Sequence, residues 1–155
     1  MAIFIDTNII IEIMRDSSKE QMLVNYFNPK KELFYISYVS VAEVSSIAMQ
    51  KEWGAPRMAK LQKFLDDSEI IEIKGDAILQ RYVEIDAFSQ GNNPAIPSKH
   101  SAKNMGKNDL WIAATASIFD VLLITTDADY DHLNNVLLKV KKIPLDIILE
   151  IRNKK

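Results

Sequence analysis

Four acidic side chains stand next to apolar runs of the sequence, where a folding core has least use for them. Asp6 ends IFIDTN, Asp127 follows VLLITT, Asp109 opens KNDLWIAATA, and Glu43 lies a helical turn into SYVSVAEV. Carboxylates brought within a few ångströms repel, raise one another's pKa and cost stability unless a cation intervenes. A cluster of Asp and Glu without thiolate or imidazole suits a hard, oxygen-seeking ion, Mg²⁺ or Mn²⁺. Such an ion polarises a phosphoryl oxygen and lowers the pKa of a bound water, so no protein base is required to make the nucleophile. That fits a chain with no cysteine and only two histidines, His100 and His132.

Each acid also has a purely structural reading. Asp6 or Thr7 can cap a first helix, and Asp127 or Asp129 a later one. Ser40 and Glu43 match S-x-x-E, a capping box. Asn108 can cap the helix in which Asp109 occupies the first turn, where a negative charge meets the helix dipole favourably. Four such positions projecting from one edge of a sheet favour a shared site over four separate caps.

The elements that must position them follow from the hydrophobic pattern. Apolar runs at 3–5, 33–36, 70–73, 121–124 and 136–140 read as strands, most too uniformly apolar for a sheet with one wet face. Stripes of helical spacing lie between them: Val41, Val44, Ile47 and Ala48 make one, and Ile78, Leu79, Tyr82, Val83 and Ile85 another. Gly54 closes one helix and Pro56 opens the next. The order β-α-α-β-α-α-β-α-β-α-β-α predicts a three-layer α/β/α sandwich, its central sheet mostly parallel with right-handed crossovers. In such sheets, ligands sit beyond the carboxyl ends of the strands, where the acids fall. Residues 89–107 break the pattern with two of the five prolines and two of the four glycines. They predict a long surface loop of the kind that is more often functional or mobile than idle.

The chain of 155 residues predicts one domain, 1–155, large enough for a real core. Its net charge of -2 gives no global pull towards nucleic acid or anionic membrane, so polyanion binding would need a local patch or a bound cation. The absence of cysteine removes disulfides, thiolate metal sites and Cys nucleophiles together, and two histidines are too few for a His-rich zinc centre. No apolar run approaches the ~18 residues of a membrane span. MAIFIDTN lacks the basic region and cleavage site of a signal peptide, so a cytoplasmic location is expected.

IDTNI, a Glu early in the third helix, NDLWIAATA and TTDADY, in that order from Asp6 to Tyr130, resemble the PIN-domain ribonucleases, most of all the VapC-type toxins of toxin–antitoxin pairs. The resemblance implies that Asp6, Glu43, Asp109 and Asp127 bind Mg²⁺ or Mn²⁺ and are the catalytic acids, with Asp129 in support. It implies that Thr7 and Asn8 are the polar pair after the first acid, Asn8 orienting it, and that Thr125 or Thr126, the latter preferred, supplies the hydroxyl near the fourth. Tyr130 replaces the more usual Phe, a departure expected to matter little. The implied activity is metal-dependent hydrolysis of RNA, leaving a 3′-hydroxyl and a 5′-phosphate. The implied partners are RNA, an antitoxin that covers the site, and a second copy of the chain in a homodimer.

Lys99, His100, Lys103 and Lys107 form a basic run beside Asp109 that can meet a phosphate backbone or merely be solvated; Arg15 is a second candidate for that contact. Trp53, Trp111 and Tyr38 can stack a base, though aromatics at helical positions more often serve a core or an interface. Met22, Met49 and Met58 read as packing or partner contacts. A phosphoacceptor receiver needs an acidic pair after the first strand, and Asp6 stands alone. A dinucleotide fold needs G-x-G-x-x-G there, and DTNIII has no glycine. A silent interaction module and a housekeeping RNA-processing nuclease stay open.

Overall fold

The computed structural model describes residues 2–155. The chain runs β1 (Ile3–Ile5), α1 (Thr7–Arg15), α2 (Ser17–Phe27), β2 (Phe34–Ser37), α3 (Tyr38–Gln50), α4 (Ala55–Asp66), β3 (Glu69–Ile71), α5 (Asp76–Ser89), α6 (Lys107–Ile118) and β4 (Leu122–Thr125). A 3₁₀ helix (Ala128–Leu133), β5 (Lys139–Lys142) and α7 (Leu145–Asn153) complete it. The five strands form one sheet in the order β3-β2-β1-β4-β5, every pair parallel.

Strand alternation sorts the core into two layers. Ile3 and Ile5 turn to one face, where they meet Ile9, Ile10 and Ile13 of α1, Leu61 and Leu65 of α4, and Ile148 and Ile151 of α7. Phe4 turns to the other and packs among α5, α6 and the 3₁₀ helix. It is fully buried, which at ordinary transfer values stabilises the fold by roughly 1.5–3 kcal/mol. In α6, Leu110, Ile112, Ala113, Ala114, Thr115 and Ala116 are all buried, so this helix is enclosed rather than amphipathic.

Three expectations are corrected. Two helices, α5 and α6, lie between β3 and β4 where the predicted order has one, and a 3₁₀ helix replaces the α-helix expected between β4 and β5. Gly54 is the N-cap of α4 and does not close α3, whose C-cap is Lys51. The last strand is 139–142 and not 136–140: Val136 is exposed, Asn135 takes the left-handed conformation (φ 60°) that asparagine tolerates, and Asn134 Oδ1 accepts from Val140 N. The apolar run is thus a turn, and the strand is a lysine-bearing sheet edge, a pattern that discourages pairing with other chains.

Candidate active site

The chain runs outward from β1 to β2 and β3, then returns to place β4 on the other side of β1. The switch point is therefore between β1 and β4, and the residues just beyond those two strands are Asp6 and Asp127.

Asp6 is 4% exposed. It is the N-cap of α1, and both its oxygens are engaged: Thr7 N donates to Oδ1 at 2.7 Å and Thr125 Oγ1 to Oδ2 at 2.7 Å. Thr125 Oγ1 also accepts from Asp127 N at 3.0 Å, tying the first acid to the fourth. Burial pushes the Asp6 pKa up to about 7; the bonds from Thr125 and Thr7 oppose this, and the charges of Asp109 and Asp127 add to it.

Thr7 Oγ1 lies 2.8 Å from Glu43 Oε1 and 3.0 Å from Ser40 Oγ. The hydroxyl has one proton, and the charged acceptor takes the stronger bond. Ser40 therefore belongs to this network inside α3 and caps nothing; the N-cap is Ser37, which accepts from Val39 N. The capping-box reading of Ser40 and Glu43 does not hold.

Asp109 stands in the first turn of α6, whose N-cap is Gly106 and not Asn108. A Cβ at Gly106 would lie 3.5 Å from Asp109 Oδ2, so glycine leaves that oxygen open on this side. Oδ1 accepts from Tyr130 Oη at 3.1 Å. The Asp109 pKa is raised, chiefly by burial and then by Asp127, Glu43 and Asp129, with the Tyr130 bond opposing. Asp127 caps the 3₁₀ helix through Asp129 N at 2.8 Å. Asp109, Asp127 and Asp129 each offer a carboxylate oxygen, all within 4.8 Å of one another. This all-oxygen donor set fits Mg²⁺ or Mn²⁺. Asp129, expected only in support, stands in the tight group, while Asp6 and Glu43 join it through Thr125 and Thr7.

The other expected residues divide. Asn8 Oδ1 accepts from Thr126 N at 3.5 Å, a bond that ties it to the residue after β4 and not to Asp6. The hydroxyl at the site is that of Thr125; Thr126 contributes its backbone N–H. Arg15 ends α1, nine residues from Asp6 and so roughly 13 Å along the helix. There it pairs with Glu12 and borders a cavity with Trp53 and Arg57, apart from the acids.

Residues 90–106 form a loop folded back on α5: Lys103 N donates to Ser89 O at 2.7 Å, His100 Nε2 lies 3.2 Å from the same oxygen, and Met105 is buried. His132 Nε2 is 2.7 Å from Ser89 Oγ. Burial, then His100 and Lys103, lower the His132 pKa to about 4, which keeps the ring neutral near pH 7. His100 packs against Phe88 and His132, so it serves the anchor of this loop. Lys60, Lys63, Lys74, Lys139 and Lys142 are each paired with an acid. Lys99, Lys103 and Lys107 are exposed and enter no ion pair among the described residues. Trp111 packs on Tyr82 with ring centroids 4.2 Å apart, and Arg57 lies over Trp53. Tyr38 and Met49 are exposed, 60% and 83%, and remain available to a partner.

The sequence suggested Ser40 only as a cap, and the departure from Phe at Tyr130 was expected to matter little. Its signal was a buried aromatic with a polar tip, which normally finds a hydrogen-bond partner.

Comparison with known proteins bears on the family and the fold. Residues 3–136 match the PIN domain family. No curated protein matches. Among solved structures, VapBC2 from Rickettsia felis bound to a promoter DNA fragment has 21% identity and a TM-score of 0.67, covering 90% of this chain and 98% of that one. VapBC-1 from nontypeable Haemophilus influenzae has 20% identity and a TM-score of 0.66, with 92% and 98% covered. A toxin–antitoxin complex from Klebsiella pneumoniae has 20% identity and a TM-score of 0.62, with 92% and 100% covered. At these identities the likeness is one of fold, and the family match extends over most of the chain. With its acids gathered at the switch point of a parallel sheet, the chain belongs to the PIN domain family of nucleases.

Proposed function

We propose that this protein is a metal-dependent endoribonuclease and the toxin of a toxin–antitoxin pair. The observation that carries the reading is the convergence of Asp109, Asp127 and Asp129 beside the buried Asp6, an arrangement that is costly without a cation. Asp6, Glu43, Asp109 and Asp127, with Asp129, would hold Mg²⁺ or Mn²⁺. When bound, such an ion supplies an activated water and neutralises charge on the phosphoryl oxygens. The chain's own residues set the geometry: Thr125 and Thr7 N–H hold Asp6, Thr7 Oγ1 holds Glu43, and Tyr130 holds Asp109. The PIN family match, the two VapBC neighbours and the toxin–antitoxin complex from Klebsiella pneumoniae support an antitoxin partner and with it the toxin role. No helix among the described residues is long and apolar enough to cross a membrane.

The test is cleavage of mixed tRNA and ribosomal RNA by the purified protein with Mg²⁺, Mn²⁺ or EDTA. Discrete products that vanish in EDTA are expected; cutting that persists in EDTA would overturn the reading. A short upstream gene for a DNA-binding protein would mark the toxin, and its absence the housekeeping nuclease.

Lys99, Lys103 and Lys107 are proposed to meet the RNA backbone, Lys107 standing two residues before Asp109. Replacing all three with alanine should weaken RNA binding and flatten its salt dependence. At roughly 0.7 per phosphate contact on a single strand, the log–log slope should fall by about 2. Filter binding across a salt series reads this, and an unchanged slope would make the loop a bystander.

A further inference from the structure

We propose that Tyr130 is a positioning residue of the acidic site: through its hydroxyl it fixes Asp109 so that one carboxylate oxygen is held by protein and the other is presented to the cation. This rests on the proposed metal-dependent reading.

Tyr130 is fully buried on the 3₁₀ helix that Asp127 caps. Asp127 is the extended N-cap residue of that helix, and Tyr130 follows it by three residues. The same turn therefore presents Asp127 directly and reaches Asp109 through the Tyr130 ring. Asp109 comes from another element, 21 residues earlier, and its Oδ1 receives the hydroxyl at 3.1 Å. Its Oδ2 lies on the side that Gly106 leaves without a side chain. Phenylalanine would fill the same space and leave Asp109 free to turn. The hydroxyl therefore does what packing alone does not: it sets the direction of a ligand.

Outer partners of metal ligands typically contribute 10–100-fold to metal affinity or activity. The full chain is titrated with Mn²⁺ as the probe, free ion being read by electron paramagnetic resonance, for wild type, Tyr130→Phe, Asp109→Asn and the double variant. Tyr130→Phe should raise the Mn²⁺ dissociation constant about 10-fold, with its melting temperature in EDTA near that of wild type. In the Asp109→Asn background the same change should have little further effect, because the two act through one contact. Equal Mn²⁺ affinity of Tyr130→Phe and wild type, or an equal loss in both backgrounds, would overturn the positioning role while leaving the metal site standing. No Mn²⁺ binding by wild type would overturn the metal site and this proposal with it. A melting temperature that collapses in EDTA would show the hydroxyl to be a structural bond and overturn the proposal.

Discussion

Asp6→Asn should eliminate cleavage while leaving the fold as steady as wild type or steadier. The loss should exceed the roughly 100-fold upper range for removing an outer partner of a metal ligand, because Asp6 is proposed as a ligand itself. Asparagine keeps the volume and can still accept from Thr7 N at one position. At the other it presents an N–H₂ to Thr125 Oγ1, which already accepts from Asp127 N and has a second lone pair to offer. What the substitution removes is a buried carboxylate facing Asp109 and Asp127. Single-turnover cleavage and a melting curve in EDTA read the two halves of the expectation. Retained cleavage would remove Asp6 from the site. Lost cleavage with a collapsed fold would make it a structural cap.

In EDTA, the stability of the wild type should fall as pH rises from about 4 to 7. The folded pKa of Asp6, about 7, lies above the unfolded value of 3.8. Between those values the folded chain holds a proton that the unfolded chain has lost, so raising the pH favours unfolding. Below about pH 4 both states are protonated and the effect is absent; above about pH 7 both are ionised and it is complete. A shift of this size is worth on the order of a few kcal/mol, which for a domain of this length is several degrees of melting temperature at roughly 2–4 °C per kcal/mol. Other groups titrate too, so the quantity to read is the melting-temperature difference between wild type and Asp6→Asn. It should widen from about pH 4 to pH 7 in EDTA and close when millimolar Mn²⁺ selectively stabilises the native wild type. A pH-independent difference would show that Asp6 is not the group responsible.

How much of this was legible in the sequence depends on the range of the cause. Asp6 and Asp127 could be placed because they lie one and two residues beyond their strands, and strand ends are set by local apolar runs. Asp109 was visible because the part of α6 that follows it is almost all apolar or small, and an acid at its head stands out. The last strand was misplaced because Val136, Leu137 and Leu138 look like a strand until the Asn134–Asn135 turn is known. Arg15 looked close to Asp6 in sequence, yet it stands at the opposite end of α1.

The sequence by itself determined the doubly covered parallel sheet and the acids at its carboxyl edge, because hydrophobic burial and strand ends are written in neighbouring residues. Only the tertiary structure decided which hydroxyl serves which acid. Thr125 reaches Asp6 across 119 residues, Thr7 reaches Glu43 across 36, and Tyr130 reaches Asp109 across 21. The same holds for the tight group: Asp129 joins Asp109 and Asp127 because the chain after β4 turns as a 3₁₀ helix beside the start of α6. Hydrogen-bond partners and carboxylate spacings depend on how elements pack, and no local pattern of residue types encodes that distance.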